Sequence, residues 1–92
     1  MKLSKKITFE GKDIEEISFD FEALTGADLL AAFREAALIG HDQNSVQALN
    51  GECQTCVAAK AAKVPVDLLL ALPAKDLSAI LVLAMRFLVG LG

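Results

Sequence analysis

The sequence contains no tryptophan or tyrosine, and it has only two prolines, two cysteines and one histidine. A tetrahedral zinc site needs four ligands, which this set cannot supply from cysteine and histidine alone. Basic residues are also few: nine Lys and Arg are scattered along a chain of net charge −3. Without a basic cluster, nucleic-acid binding loses its main electrostatic support, so we expect no nucleic-acid partner.

The N-terminus lacks the apolar stretch of a signal peptide. Its first residues, Met1-Lys2-Leu3-Ser4-Lys5-Lys6, are followed by the polar Thr8, Glu10 and Lys12. We therefore expect no secretion and a cytoplasmic location. Cys53 and Cys56 lie too close in sequence for a framework disulfide, which fits thiols in a reducing compartment.

Aliphatic side chains are more abundant than a chain of this length needs. Hydrophobic residues make up 54% of the 92 residues, against roughly 45 to 50% in ordinary domains. A single domain of this size, residues 1–92, buries only about 60 to 65% of its unfolded surface. We therefore expect a sister subunit or another partner to cover the remainder, and predict a homo-oligomer.

The N-terminal part predicts a β-hairpin over about residues 3–21. Leu3, Ile7 and Phe9 alternate with polar residues, and so do Ile17, Phe19 and Phe21, as in half-buried strands. The polar segment Glu10-Gly11-Lys12-Asp13 favours the turn between them. Ile14 is out of step with Ile17, which indicates a bulge or a register change. Two strands alone are marginal in water, so their apolar face should pack on helices.

Helical signals begin after Leu24. Thr25 is followed three residues later by Asp28, an N-terminal capping pattern, and Gly40 is placed to end the helix. The predicted buried stripe of this first helix is Leu29, Phe33, Ala36 and Ala37. Residues 41–45 are predicted to form a loop, and 46–49 a short helical turn. The predicted helices are about 27–39, 52–63, 65–71 and 74–91, the last two delimited by Pro65 and Pro73. The fold class predicted is α+β: a β-hairpin followed by a small bundle of three to four helices, with a long apolar helix at the C-terminus.

The last helix is the most unusual segment. From Leu77 to Leu91 every residue except Ser78, Arg86 and Gly90 is apolar. One face carries Ile80, Leu83, Phe87 and Leu91, and a second carries Leu77, Leu81, Met85 and Leu88. Three interpretations are open: a central core helix, a helix covered by a partner, or a membrane segment. The run is short and contains Arg86, which argues against the membrane. We predict that a partner contacts Leu77, Leu81, Met85, Leu88, Val82 and Val89.

Candidate chemical groups are incomplete. Cys53 and Cys56 have the spacing of a redox or zinc pair, but they begin an Ala-rich helix rather than follow a strand, so we interpret them as buried helix residues. His41 and Asp42 are adjacent, an arrangement that rarely lets two side chains face each other. We therefore predict no catalytic, cofactor-binding or metal-binding residue, and hence a protein that is not an enzyme. Acidic side chains should provide solubility and protect the sheet edge, namely Asp13, Glu15, Glu16, Asp20 and Glu22.

Several short motifs carry a family resemblance. They are the Thr25-Gly26-Ala27-Asp28-Leu29 segment that opens a helix, Val64-Pro65-Val66-Asp67-Leu68-Leu69, Leu72-Pro73-Ala74-Lys75-Asp76-Leu77, and an apolar helix containing Phe87-Leu88. Together with the strand pair and the Ala-rich middle, they make most of the chain resemble the small tail assembly chaperones of long-tailed bacteriophages and prophages.

The resemblance implies a non-catalytic assembly factor in the host bacterial cytoplasm that is absent from the finished virion. Such a factor binds the long helical tape-measure protein and helps it recruit tail-tube subunits; the family often also makes a longer product by translational frameshifting. Two other functions stay open from the residues: a small structural or oligomerising phage protein, and a transcription-regulator or antitoxin-type module. The last would need a basic recognition helix, which the sequence does not contain.

Overall fold

A computed structural model describes residues 1–39 and 51–90 of the chain. It confirms the α+β class, with an antiparallel hairpin followed by helices. The strands are β1 (Lys2–Phe9) and β2 (Lys12–Glu16), and the helices are α1 (Gly26–Ile39), α2 (Gly51–Ala62), α3 (Val66–Leu70) and α4 (Ala74–Leu88). The predicted helix end at Gly40, the loop 41–45 and the turn 46–49 lie outside the described residues.

The hairpin turns where the sequence predicts. Glu10 and Gly11 have φ angles of 51° and 79°, and they connect the paired residues Phe9 and Lys12. Two successive positive φ angles in a two-residue loop are typical of a type I′ turn, whose twist matches that of the strands. The register shifts between Lys2 and Ile7, on the strand opposite Ile14. The predicted irregularity is therefore present.

The predicted end of the second strand, at residue 21, is wrong, because β2 ends at Glu16. The amide of Ile17 still donates to the carbonyl of Met1 at 2.9 Å, but the amide of Asp20 donates to the carbonyl of Ala61 at 3.0 Å. The chain has thus left the hairpin and reached the end of α2. Phe21 lies in a short 3₁₀ turn, Phe21–Ala23, and its ring stacks on Phe87 with centroids 5.2 Å apart. Phe19 and Phe21 continue the apolar alternation beyond the end of β2 because they pack against the helical clusters, not because they lie in a strand.

Helix α1 begins with the predicted capping pattern. The amide of Asp28 donates to Thr25 Oγ1 at 3.2 Å, and the amide of Thr25 donates to Asp28 Oδ2 at 3.0 Å. The hydrogen bond from the Thr25 amide, followed by the influence of the Thr25 side chain, holds the pKa of the Asp28 carboxyl below its ordinary value. The predicted buried stripe needs one correction: Ala32 is fully buried with Ala36, whereas Ala37 is exposed. Ala32 lies one turn before Ala36, while Ala37 is rotated by about 100° from it.

Helix α2 is the central element. Its residues Cys53 to Ala59 and Ala61 are all buried, and it packs against α1, α3 and α4. One apolar cluster joins the hairpin to α2, α3 and α4 around Leu69 and Ile80, and a second joins α1 to α2 around Val57. No helix among the described residues is long and apolar enough to cross a membrane.

Candidate protein-binding surface

Helix α4 uses a narrow stripe to contact its own protein. Asp76, Ile80 and Ala84 are buried, one turn apart along the helix. Leu77 packs beside this stripe in one cluster, and Phe87 and Leu88 pack in the other. The buried stripe therefore overlaps the first face that the sequence suggested, from which it takes Ile80, and the second face contributes Leu77 and Leu88 at the border of the stripe.

The first suggested face, in particular, is divided. Ile80 is buried and Phe87 is half-buried, but Leu83 is 38% exposed. Leu91 lies outside the described residues. The reason is angular, since Leu83 is rotated by about 60° from Ile80, to the side opposite Leu77.

The six predicted partner-binding residues lie on one side of α4, and the exposed Ser78 lies within the same range of angles. At about 100° per residue they span roughly 140° of the helix circumference. Leu77, Leu81, Met85 and Leu88 are half-buried, and Val82 and Val89 are 41% and 45% exposed. We call this set, Leu77, Leu81, Val82, Met85, Leu88 and Val89, the α4 apolar surface.

A groove of about 280 Å³ opens at one edge of this surface. Leu77 and Leu81 form its α4 wall, Leu70 of α3 faces them, and the start of α2 closes it with Gly51, Glu52 and Thr55. Leu70 is 53% exposed, so it adds apolar area to the same region. Sequence reasoning did not identify Leu70. The run Leu68-Leu69-Leu70 was the sequence signal that could have identified it, since three consecutive residues of a helix cannot all face one core.

A hydrogen-bonded carboxylate fixes the start of α4. Asp76 is 4% exposed, and its carboxylate accepts from the Ser4 amide at 3.0 and 3.2 Å and from Ser4 Oγ at 2.9 Å. Ser4 lies in the part of β1 where the register shifts, so its amide is available for this contact. The bond joins the hairpin to α4 and so holds the apolar surface in a defined orientation.

The two cysteines occupy the interior of α2. Cys53 is 3% and Cys56 0% exposed, and neither forms a disulfide. Burial raises the pKa of both thiols, that of Cys56 to about 11, with the Glu35 carboxylate adding to the shift at Cys56. A buried thiol that stays protonated is a poor nucleophile at neutral pH. The structure therefore agrees with their interpretation as buried helix residues.

No group of three or more potential metal ligands occurs within residues 1–39 and 51–90. His41 and Asp42 lie outside the described residues. The predicted acidic residues are all exposed, and one of them, Asp13, lies 3.6 Å from Lys6 Nζ.

A second exposed apolar pair lies on α1. Leu30 and Leu38 are 58% and 87% exposed. They are two turns apart on that helix, with Arg34 between them. Leu30 and Leu38 therefore serve as control positions for substitutions in the α4 apolar surface.

Comparison of the chain with protein-family models, with curated proteins and with solved structures gives no match.

Proposed function

We propose that this protein is a non-catalytic tail assembly chaperone of a long-tailed phage or prophage. It binds the tape-measure protein in the host cytoplasm, assists assembly of the tail tube and leaves before the virion is complete. The observation that carries the proposal is the α4 apolar surface with the groove beside it, because a chaperone for an apolar helical client needs exposed apolar area held on a rigid element.

The shape of this surface suits a helix. It follows the axis of α4 for about three turns, and the groove beside Leu77 and Leu81 has room for one large apolar side chain. Amphipathic helices bind in this way, with apolar residues at three- and four-residue spacing seated in a groove. A tape-measure protein is a long helical client, and it fits this mode.

The choice of a phage chaperone over other binding proteins rests on the sequence. The motifs at Thr25–Leu29, 64–69 and Leu72–Leu77 resemble the family. Two of them now have a structural role: Thr25 caps α1, and Asp76 joins α4 to the hairpin. Association with tail-tube subunits and self-association remain predictions.

Co-expression with a tape-measure protein tests the proposal. The tagged chain should retain the tape-measure protein on an affinity resin, and the double variant V82E/V89E should lose most of it. Both valines are exposed, so the variant should fold. The matched control is L30E/L38E, which places two glutamates at exposed leucines of α1.

Failure of the unchanged protein to retain any tape-measure protein would overturn the proposal. Equal loss of the retained tape-measure protein in V82E/V89E and in L30E/L38E would show that the α4 apolar surface is not the binding site. Recovery of the chain in purified virions would instead favour the structural phage protein, and retention of DNA would favour the regulator.

A further inference from the structure

The charged residues of α4 are distributed unequally between the core and the surface. This helix contains Lys75, Asp76 and Arg86. Asp76 is buried and accepts hydrogen bonds from Ser4, whereas Lys75 and Arg86 are exposed. The described residues form two salt bridges, Lys6–Asp13 and Lys60–Glu35, and neither involves α4. The outward side of α4 is therefore apolar and cationic in a chain of net charge −3.

The two cations lie in line. Lys75 and Arg86 are three turns apart, which places them about 16 Å from each other along the axis and within about 20° around it. Val82 and Val89 lie next to this line, so the cations border the α4 apolar surface along one edge. Lys2 and the buried Asp76 line the same pocket as Lys75, so the charge at that end stays net positive. The opposite edge, at the groove, carries Glu52 instead.

We propose that the partner of the α4 apolar surface is an amphipathic helix with acidic side chains along one edge, three turns apart, that face Lys75 and Arg86. The inference rests on the proposed function for the use of this surface by a client, and it adds the chemistry of that client. Complementary charges at the rim of an apolar contact fix orientation and exclude wrong partners. Here they also set the direction of the client helix, because its acidic edge must avoid Glu52.

A second copy of the chain in antiparallel orientation fits this surface poorly. A two-fold pairing of α4 with itself, centred between the two cations, places Lys75 opposite Arg86 of the other copy, and the same at the other end. This brings like charges together beside a desolvated apolar contact, which is unfavourable. A parallel two-fold pairing places the cationic edge of one copy against the groove edge of the other, and sedimentation distinguishes such a dimer from binding of a separate helix.

Binding of two synthetic helical peptides to the full chain, followed by fluorescence anisotropy, tests the proposal. The peptides share one apolar face and have glutamine along one edge. The other edge carries glutamate in the first peptide and lysine in the second. The glutamate peptide should bind about tenfold more tightly at low salt, because two exposed pairs each change from attraction to repulsion. Added salt should reduce the difference.

A charge reversal locates the effect. In K75E/R86E the preference should shift to the lysine peptide. The matched control, K5E/K12E, makes the same change in net charge at exposed lysines of the hairpin and should keep the preference for glutamate. Lys75 should contribute more than Arg86, since two carboxylates, those of Asp20 and Glu22, line a pocket with Arg86 and offset its charge.

Equal binding of the two peptides, binding of neither, or the same shift in both double variants would overturn the proposal. So would a dimer, observed by sedimentation, that V82E/V89E dissociates. The tape-measure experiment remains separate from this one. A preference for the glutamate peptide without retention of a tape-measure protein would reject the chaperone function and support the acidic partner helix. Retention of the tape-measure protein without a preference for the glutamate peptide would support the chaperone function and reject the acidic partner helix.

Discussion

Helices α2 and α4 differ in a way that composition does not suggest. Helix α2, Gly51–Ala62, consists mainly of small side chains and is buried from Cys53 to Ala59. Helix α4, Ala74–Leu88, carries many of the large aliphatic side chains, yet only Asp76, Ile80 and Ala84 are buried. The less apolar helix occupies the centre, and the more apolar one lies at the surface.

The difference follows from the size of the side chains. Small residues allow neighbouring helices to approach α2 from several sides, so one helix can be surrounded in a chain of 92 residues. The large residues of α4 fill the core from one side, and within residues 1–39 and 51–90 the other side of the helix stays exposed at Val82 and Val89. Apolar area left on such a helix is available to a partner.

The largest expected effect tests the division within α4. Ile80 is 0% exposed, and I80A should lower the free energy of unfolding by about 3 kcal/mol through lost burial and a cavity. Val82, two residues later, is 41% exposed, and V82A should cost less than about 0.5 kcal/mol. Urea unfolding followed by circular dichroism measures both. Similar losses in the two variants would mean that α4 is buried all round and has no partner surface.

The next effect compares the two helices directly by replacing one alanine of each with leucine. Ala58 of α2 is 0% exposed, and A58L should lower the free energy of unfolding by about 2 kcal/mol, because the added atoms must displace packed neighbours. Ala79 of α4 is exposed, and A79L should change it by less than about 0.5 kcal/mol. The midpoint of urea unfolding reports the contrast. If A58L were tolerated as well as A79L, close packing around α2 would not explain its burial.

The local elements could be predicted from the sequence because their signals are local. The Glu10-Gly11 turn, the Thr25–Asp28 cap and the helix starts near the two prolines need only neighbouring residues, and the structure contains them. The end of β2 needed more, since the carbonyl that receives the Asp20 amide belongs to Ala61.

The candidate surface could be predicted only in part. The six residues of the α4 apolar surface came from helical periodicity and are all at least partly accessible. Leu70 and the groove were missed because α3 and α2 form the other wall, a tertiary contact that no pattern within α4 contains. The central position of α2 was missed for a similar reason: an Ala-rich helix has no strong apolar stripe, although small side chains favour close packing.

A smaller effect uses the burial of α2 and appears at high pH. The pKa of the Cys56 thiol is raised from an ordinary 9.0 to about 11, so the unfolded chain loses this proton first as pH rises. The contribution of this thiol to the free energy of unfolding is complete below pH 9 and should be lost as the pH approaches 11. Urea unfolding between pH 8 and 11 should show a decline that is less steep in C56A. Equal slopes in the two proteins would indicate that Cys56 is not enclosed by its neighbours.

The smallest effect compares the ends of the two helices. Beyond α2 the chain turns at Lys63 with φ 58°, and the Val64 amide donates to the Ala59 carbonyl; beyond α4 it turns at Gly90 with φ 80°. A residue with a β-carbon is strained in this left-handed conformation, and glycine is not. K63G should therefore raise the free energy of unfolding by about 0.5 kcal/mol, after the greater flexibility of the unfolded chain is deducted.

Conversely, G90A should lower the free energy of unfolding by about 1 kcal/mol. A β-carbon there meets no atom within 4 Å, so the backbone strain is the whole cost. Thermal unfolding by calorimetry resolves both signs, and a loss of stability in K63G would show that the lysine side chain stabilises the end of α2 by more than its backbone strain costs.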